Sequence, residues 1–191
     1  MRATMLLVAL TAACTPDIVS GAYLCGPEKA CPDDQVCDGV DNLCVLSSQA
    51  RPYTCSGAPL PAQPATLCAT VPVELSGCIG DGDTDSDTLE VAVPAACVTS
   101  SVNVRLSFPL AYAPLQMTLV DAGTGAMVAA DGPCAGDADD DGDVRRCLEA
   151  NVAADQSYRI SVAPTGEDNC GGACDYNRYR LTFQLLSRGA R

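Results

Sequence analysis

Carboxylates and cysteines carry most of the chemistry this chain offers. Asp81, Asp83, Asp85 and Asp87 alternate with other small residues in one stretch, and Asp137, Asp139, Asp140, Asp141 and Asp143 crowd a second. In the second, Asp137-Ala138-Asp139-Asp140-Asp141-Gly142 has the D-x-D-x-D-G spacing that opens a calcium loop. Alternate carboxylates turn their oxygens onto one hard cation, and Gly142 allows the sharp turn between them. Such a loop closes with a bidentate glutamate at its twelfth position, which here is Leu148, with Glu149 one residue late. No flanking helix is readable either. Two readings stay open: a looser calcium site in one or both stretches, or solvated, mutually repelling turns. Packed carboxylates without a cation raise one another's pKa, and exported proteins meet millimolar calcium, enough for sites of about 10⁻⁴ to 10⁻³ M.

Other chemistry is limited by what is missing. The chain has no His and no Trp, and Lys29 is its one lysine. Ser-His-Asp and Cys-His arrangements and His-containing zinc sites therefore have no base or ligand to use. Paired carboxylates can hydrolyse glycosides, but these acids sit in turns, with no indole to stack a sugar. The expectation is a protein that is not an enzyme. A net charge of −13 repels nucleic acid and anionic headgroups and favours cations.

Thirteen cysteines in 191 residues imply an oxidising compartment and a disulfide framework. Proximity suggests Cys55–Cys68, Cys78–Cys97, Cys134–Cys147 and Cys170–Cys174, the third of these closing the second acidic stretch. An odd count leaves one cysteine over. Residues 1–13 combine Arg2, the apolar run Met5-Leu6-Leu7-Val8-Ala9-Leu10 and then small residues, which is the layout of a secretory signal. The apolar run is far short of the roughly 20 residues that span a bilayer.

Leu10-Thr11-Ala12-Ala13-Cys14 resembles the lipobox of bacterial lipoproteins, with Thr11 where that family prefers leucine. The resemblance implies an acyl anchor in a lipid bilayer through Cys14. It leaves an even set of cysteines to pair. Ordinary cleavage and secretion is the alternative. Thr15 follows the cysteine where inner-membrane retention uses Asp, so the likeness points to the outer membrane.

Residues 14–24 then read as a lipidated tether. Residues 25–44 form a Cys-rich module, with Cys25, Cys31, Cys37 and Cys44 spaced C-x5-C-x5-C-x6-C and turn signals between them. About twenty residues bury too little apolar surface to fold unaided, so disulfides must hold them. Four cysteines allow three connectivities. The module is similar to small EGF-like knots, and that resemblance implies alternation: Cys25 with Cys37 and Cys31 with Cys44. A spacer role at a stalk is the expectation. Residues 45–67 carry Pro52, Pro59, Pro61 and Pro64 and read as a semi-rigid linker.

Residues 68–187 change to period two. Leu89, Val91 and Val93 form one alternating run, Val102, Val104, Leu106 and Phe108 a second, and Leu115, Met117 and Leu119 a third. Tyr158, Ile160 and Val162, then Tyr179, Leu181, Phe183 and Leu185, continue the pattern. Each run sets one face on a core and one in water. Residues 71–75, 126–130 and 147–152 are weaker strands, the last also readable as a helical turn. Asp121-Ala122-Gly123-Thr124-Gly125 reads as a hairpin turn. The fold class is all-β: an antiparallel β-sandwich of seven to eight strands behind a small disulfide-rich N-terminal module.

This half resembles the bacterial pre-peptidase C-terminal (PPC) domain. The likeness is carried by the stretch from Gly77 through the acidic turn to Val91, by Leu119-Val120-Asp121-Ala122-Gly123, by Asp155-Gln156-Ser157-Tyr158 and by Tyr179-Arg180-Leu181-Thr182-Phe183. Leu89 stands where that family usually has an aromatic, and the family is not normally so cysteine-rich. The resemblance implies a binding or folding module. The expected function is a membrane-anchored lipoprotein presenting a disulfide-braced sandwich to an unknown protein or polysaccharide ligand, with calcium as a stabilising cofactor. The alternative is a purely structural envelope component.

Overall fold

A computed structural model describes residues 18–52, 65–66, 72–79, 86–97, 100–135, 142–166 and 177–187. In the N-terminal module a three-residue 3-10 turn, Pro27–Lys29, precedes a small antiparallel hairpin of β1 (Gln35–Cys37) and β2 (Cys44–Leu46). The remaining strands are β3 (Ala65–Thr66), β4 (Val73–Ile79), β5 (Asp87–Val93), β6 (Ser100–Pro109), β7 (Leu115–Asp121) and β8 (Met127–Ala130). They continue with β9 (Gly132–Pro133), β10 (Asp143–Val152), β11 (Gln156–Pro164) and β12 (Asn177–Ser187). Two five-stranded sheets result, ordered β4-β12-β6-β10-β9 and β3-β5-β11-β7-β8. Every pairing in them is antiparallel except that of β3 with β5.

The alternating runs explain the sandwich. Val102, Val104, Leu106 and Phe108 of β6 and Tyr179, Leu181, Phe183 and Leu185 of β12 are all buried. They meet Leu89, Val91, Val93, Leu115, Met117, Leu119, Tyr158, Ile160 and Val162 from the facing sheet in one apolar cluster. Side-chain period and sheet pleat agree, so one register satisfies both strands of each pair. Residues 147–152 belong to a ten-residue strand rather than a helical turn, because Leu148, Ala150 and Val152 alternate inward along β10. The expected hairpin forms between β7 and β8. Asp121 Oδ1 accepts from the Gly123 amide (2.9 Å), the Thr124 amide (2.7 Å) and the Thr124 hydroxyl (2.9 Å), and Gly125 takes φ +70°. These bonds, the Thr124 ones first, hold the Asp121 carboxyl below its ordinary pKa.

One close approach ties the two sheets at an edge. A Cβ on Gly77 of β4 would overlap the Tyr179 ring, so only glycine leaves room for that side chain. The Tyr179 hydroxyl donates to Asp87 Oδ2 at the start of β5 (2.6 Å). Burial, then that bond, pushes the phenol well above its usual pKa.

The N-terminal module reaches beyond 25–44. Gly21 donates to the Cys44 carbonyl (2.8 Å), and Cys44 donates to Tyr23 O (2.8 Å), so the stretch read as a tether lies along β2. On the other side the Gly39 amide donates to Arg51 O (2.9 Å). The Arg51 side chain reaches Asp38, which is 1% exposed. Asp38 also accepts from the amides of Arg51 (2.7 Å), Asp41 (2.9 Å) and Val40 (3.3 Å). Its carboxylate is thus satisfied inside a module with almost no apolar core. The Arg51 hydrogen bonds, against the opposing cost of burial, hold its pKa far below the carboxylate range.

Candidate functional site

The knot packs directly on one end of the sandwich. Cys25 and Cys44 share a buried cluster with Ala111 and Tyr112, which lie in the turn between β6 and β7. The Lys29 ammonium sits 5.4 Å from the centre of the Tyr112 ring, a cation–π contact. Arg178 of β12 donates to the carbonyls of Val40 (2.7 Å) and Gly39 (3.4 Å). Gly142, at φ +77°, brings its backbone against Leu24, whose side chain would lie 3.3 Å from an added Cβ. The expected spacer is therefore part of a two-module body, because the knot has too few apolar residues to bury and borrows the aromatic of its neighbour.

That junction leaves a cleft of about 410 Å³, open to solvent. Its walls come from both modules: Pro27 and Glu28 of the knot, and Phe108, Leu110, Tyr112, Leu115 and Val144 among the sandwich residues. The β6–β7 turn that supplies Leu110 and Tyr112 is held from several sides. Asn177 Nδ2 donates to Ala113 O (2.8 Å) and Pro109 O (3.1 Å), and Leu110 N donates to Gly142 O (2.9 Å). The Thr165 amide donates to Pro114 O (2.9 Å). Asn177 is fully buried, and its Oδ1 has no hydrogen-bond partner.

The charges around the cleft are largely spoken for. Arg146 lies 3.0 Å from Asp131, whose side chain is 6% exposed, and this bond raises the arginine pKa. Lys29 is on Tyr112. Glu28 and Lys29 both hold positive φ of 58°, uncommon for residues with side chains, on the turn that rims the cleft. Among the described residues Glu28 is the one carboxylate in the lining.

The predicted site residues fall partly within the described structure. Cys25–Cys37 and Cys31–Cys44 are both disulfides, in the alternating order, and Cys134–Cys147 is a third. The sulfurs of Cys25, Cys31 and Cys44 gather within 4.8 Å, but all are oxidised and offer no thiolate to a metal. Cys78 and Cys97 are each in a disulfide as well, outside these three bridges. Cys14, Cys55, Cys68, Cys170 and Cys174 lie outside the described residues, as do Asp81, Asp83, Asp85, Asp137, Asp139 and Asp141. Asp87 begins β5 and accepts the Tyr179 hydroxyl, while Asp143 begins β10 opposite Pro109. The flanking strands of both acidic stretches end at the end of the sandwich that carries the knot: Ile79 pairs with Asn177 and Asp143 with Pro109.

The sequence pointed to acids and cysteines, whereas the cleft is lined by residues such as Tyr112, Leu110, Glu28 and Val144. One signal was available: Pro109 and Pro114 bracket a tyrosine in a turn, where an aromatic side chain needs a neighbouring surface to cover it. The disulfides place the chain in an oxidising, exported setting. Among the described residues no helix is long and apolar enough to cross a membrane.

No family model matches the chain, and no curated protein matches it. Among solved structures, the crystal structure of PliG of Salmonella Typhimurium, a periplasmic lysozyme inhibitor of g-type lysozyme, is similar at 15% identity with a TM-score of 0.41. The match covers 65% of this chain and 100% of that one. A likeness of that degree says nothing of what this chain binds.

Proposed function

We propose that this protein is an exported, lipid-anchored, non-catalytic binding module whose ligand enters the cleft between knot and sandwich. One observation carries the reading: two modules share a buried cluster around Tyr112 and leave a cleft of about 410 Å³ beside it, in which apolar walls such as Phe108 and Leu110 meet polar groups such as Glu28, Gln116 and Arg146. Ligand clefts run from about 300 Å³ upward and favour junctions between modules. An open cleft cannot surround a small molecule, which favours a side chain presented by a protein or a sugar presented by a polysaccharide. The domain division is a knot followed by a PPC-like sandwich, supported by the alternating disulfides and by the buried Tyr158 and Tyr179 strands. Cys14 is the acylation site and the outer membrane the address, supported by the lipobox-like stretch.

Calcium is proposed for the second acidic stretch, where hard carboxylate oxygens suit that ion. The Cys134–Cys147 bridge supports this by joining the strands on either side. Asp87 fits less well, since Tyr179 already holds one of its oxygens. Calorimetric titration with calcium, beside an Asp137→Ala/Asp139→Ala variant, decides it: no heat and no rise in Tm removes the ion.

The cleft is tested by placing a photo-crosslinking residue at Leu110, or at Leu186 as a control, in the anchored protein on the cells that make it. Leu186 is on β12, eight positions past Arg178 and about 26 Å along the strand. A discrete adduct from position 110 alone supports the cleft. Adducts from neither position, or equally from both, reject it.

A further inference from the structure

The outer surface of the knot is unusually apolar for its size. Of eleven exposed large hydrophobic side chains among the described residues, seven belong to the knot. Leu24 packs at the junction with the sandwich, and Val40 is held there by its backbone carbonyl. Ile18, Val19 and Leu46 lie elsewhere, at 42%, 65% and 45% exposure. Hydrogen bonds hold the 18–20 segment, Val19 included, at the same end of the hairpin as Leu46: the Gln35 side-chain amide donates to Ile18 O (3.2 Å) and the Leu46 amide donates to Ser20 Oγ (3.1 Å). Gln35 and Leu46 are also register partners in the hairpin. They stand at its open end, while Gly39 and Val40, which touch Arg178, stand at its turn. The patch thus lies at the end of the hairpin away from the sandwich.

We infer that Ile18, Val19 and Leu46 seat the knot on a zwitterionic lipid surface. The inference rests on the anchor at Cys14. That residue is four positions before Ile18, so even a fully extended chain places the patch within about 14 Å of the acylated atom. The headgroup zone on each side of a bilayer is itself roughly 5–8 Å deep. A tether so short gives the patch a high effective concentration at the membrane, and three apolar side chains then suffice to orient what the acyl chains already hold. Asp33 and Asp34, just before β1, and a net charge of −13 exclude anionic headgroups as the preferred surface. Seated this way, the knot holds the cleft at a fixed height instead of letting it swing.

The chain has no Trp, so one introduced indole reports alone. Val19→Trp, and separately Leu46→Trp, are made in the full lipidated protein and reconstituted into phosphatidylcholine vesicles carrying acyl-brominated lipid. Emission shifted to the blue and quenched at least twofold at both positions, with Leu186→Trp unquenched, is the expected result. Lack of quenching at both patch positions overturns the proposal, and so does equal quenching at Leu186. Intact mass of the same samples separates the causes. Unquenched protein that carries acyl chains removes only the seating, whereas protein with no acyl chains removes the anchor and the seating with it.

Discussion

The knot and the sandwich are adjacent, yet they are held by different physics. In the sandwich, one apolar cluster runs from Ile79 to Leu185, built by side-chain alternation along the strands. The knot buries Cys25 and Cys44 and little else of its own. Two disulfides, a carboxylate buried against Arg51 and a borrowed tyrosine replace the missing core. Small modules reach order through covalent and polar constraint because their surface outruns their volume. The cleft lies where the two kinds of order meet.

This contrast can be broken in order of effect. Phe183→Ala removes the largest fully buried side chain of the sandwich and should cost about 3–5 kcal/mol in denaturant unfolding of the whole chain. Replacing Cys25 and Cys37 together by serine opens a loop of separation 12 and should cost about 3 kcal/mol. Hydrogen exchange should show that loss in residues 18–52, with the sandwich amides still protected. Loss of protection throughout would mean the two regions fold as one unit.

Asp38→Asn removes the buried one of Arg51's two carboxylate partners, leaving the exposed Asp41, and should weaken the knot by about 1–3 kcal/mol, again read by local exchange. The folded-state pKa of Asp38 is depressed, so its contribution is full above the ordinary carboxylate pKa and fades as pH falls below about 4. Knot protection should follow that curve in the native protein and lose that component of it in Asp38→Asn. The smallest effect expected is Tyr179→Phe, about 0.5–1.5 kcal/mol in global unfolding, because the ring still packs over Gly77 and only the Asp87 bond is lost.

Much of the sandwich was legible because a strand advertises itself over five or more residues. The runs 102–108 and 179–185 contain enough alternation to place their inward faces before any partner is known. Short strands carry no such signal. β3 has two residues, Ala65 and Thr66, inside a stretch that reads as linker, and they pair with Val91 and Ala92 of β5 only because the sheet edge is there to receive them. The cleft was illegible for a related reason. Glu28, Tyr112 and Val144 are far apart in the chain and share no spacing, so their convergence depends on how the knot docks.

Local pattern alone determined the β class, the inward faces of the long strands, the Asp121 turn and an oxidising compartment. Each is a property of neighbours a few residues apart, or of composition. Tertiary structure alone decided that the knot is docked rather than held away, that Arg51 belongs to it, and that a cleft opens where the two modules meet. Those outcomes hinge on long-range contacts, such as Arg178 with Val40 and Lys29 with Tyr112. Their energies exist only once two separately ordered surfaces meet.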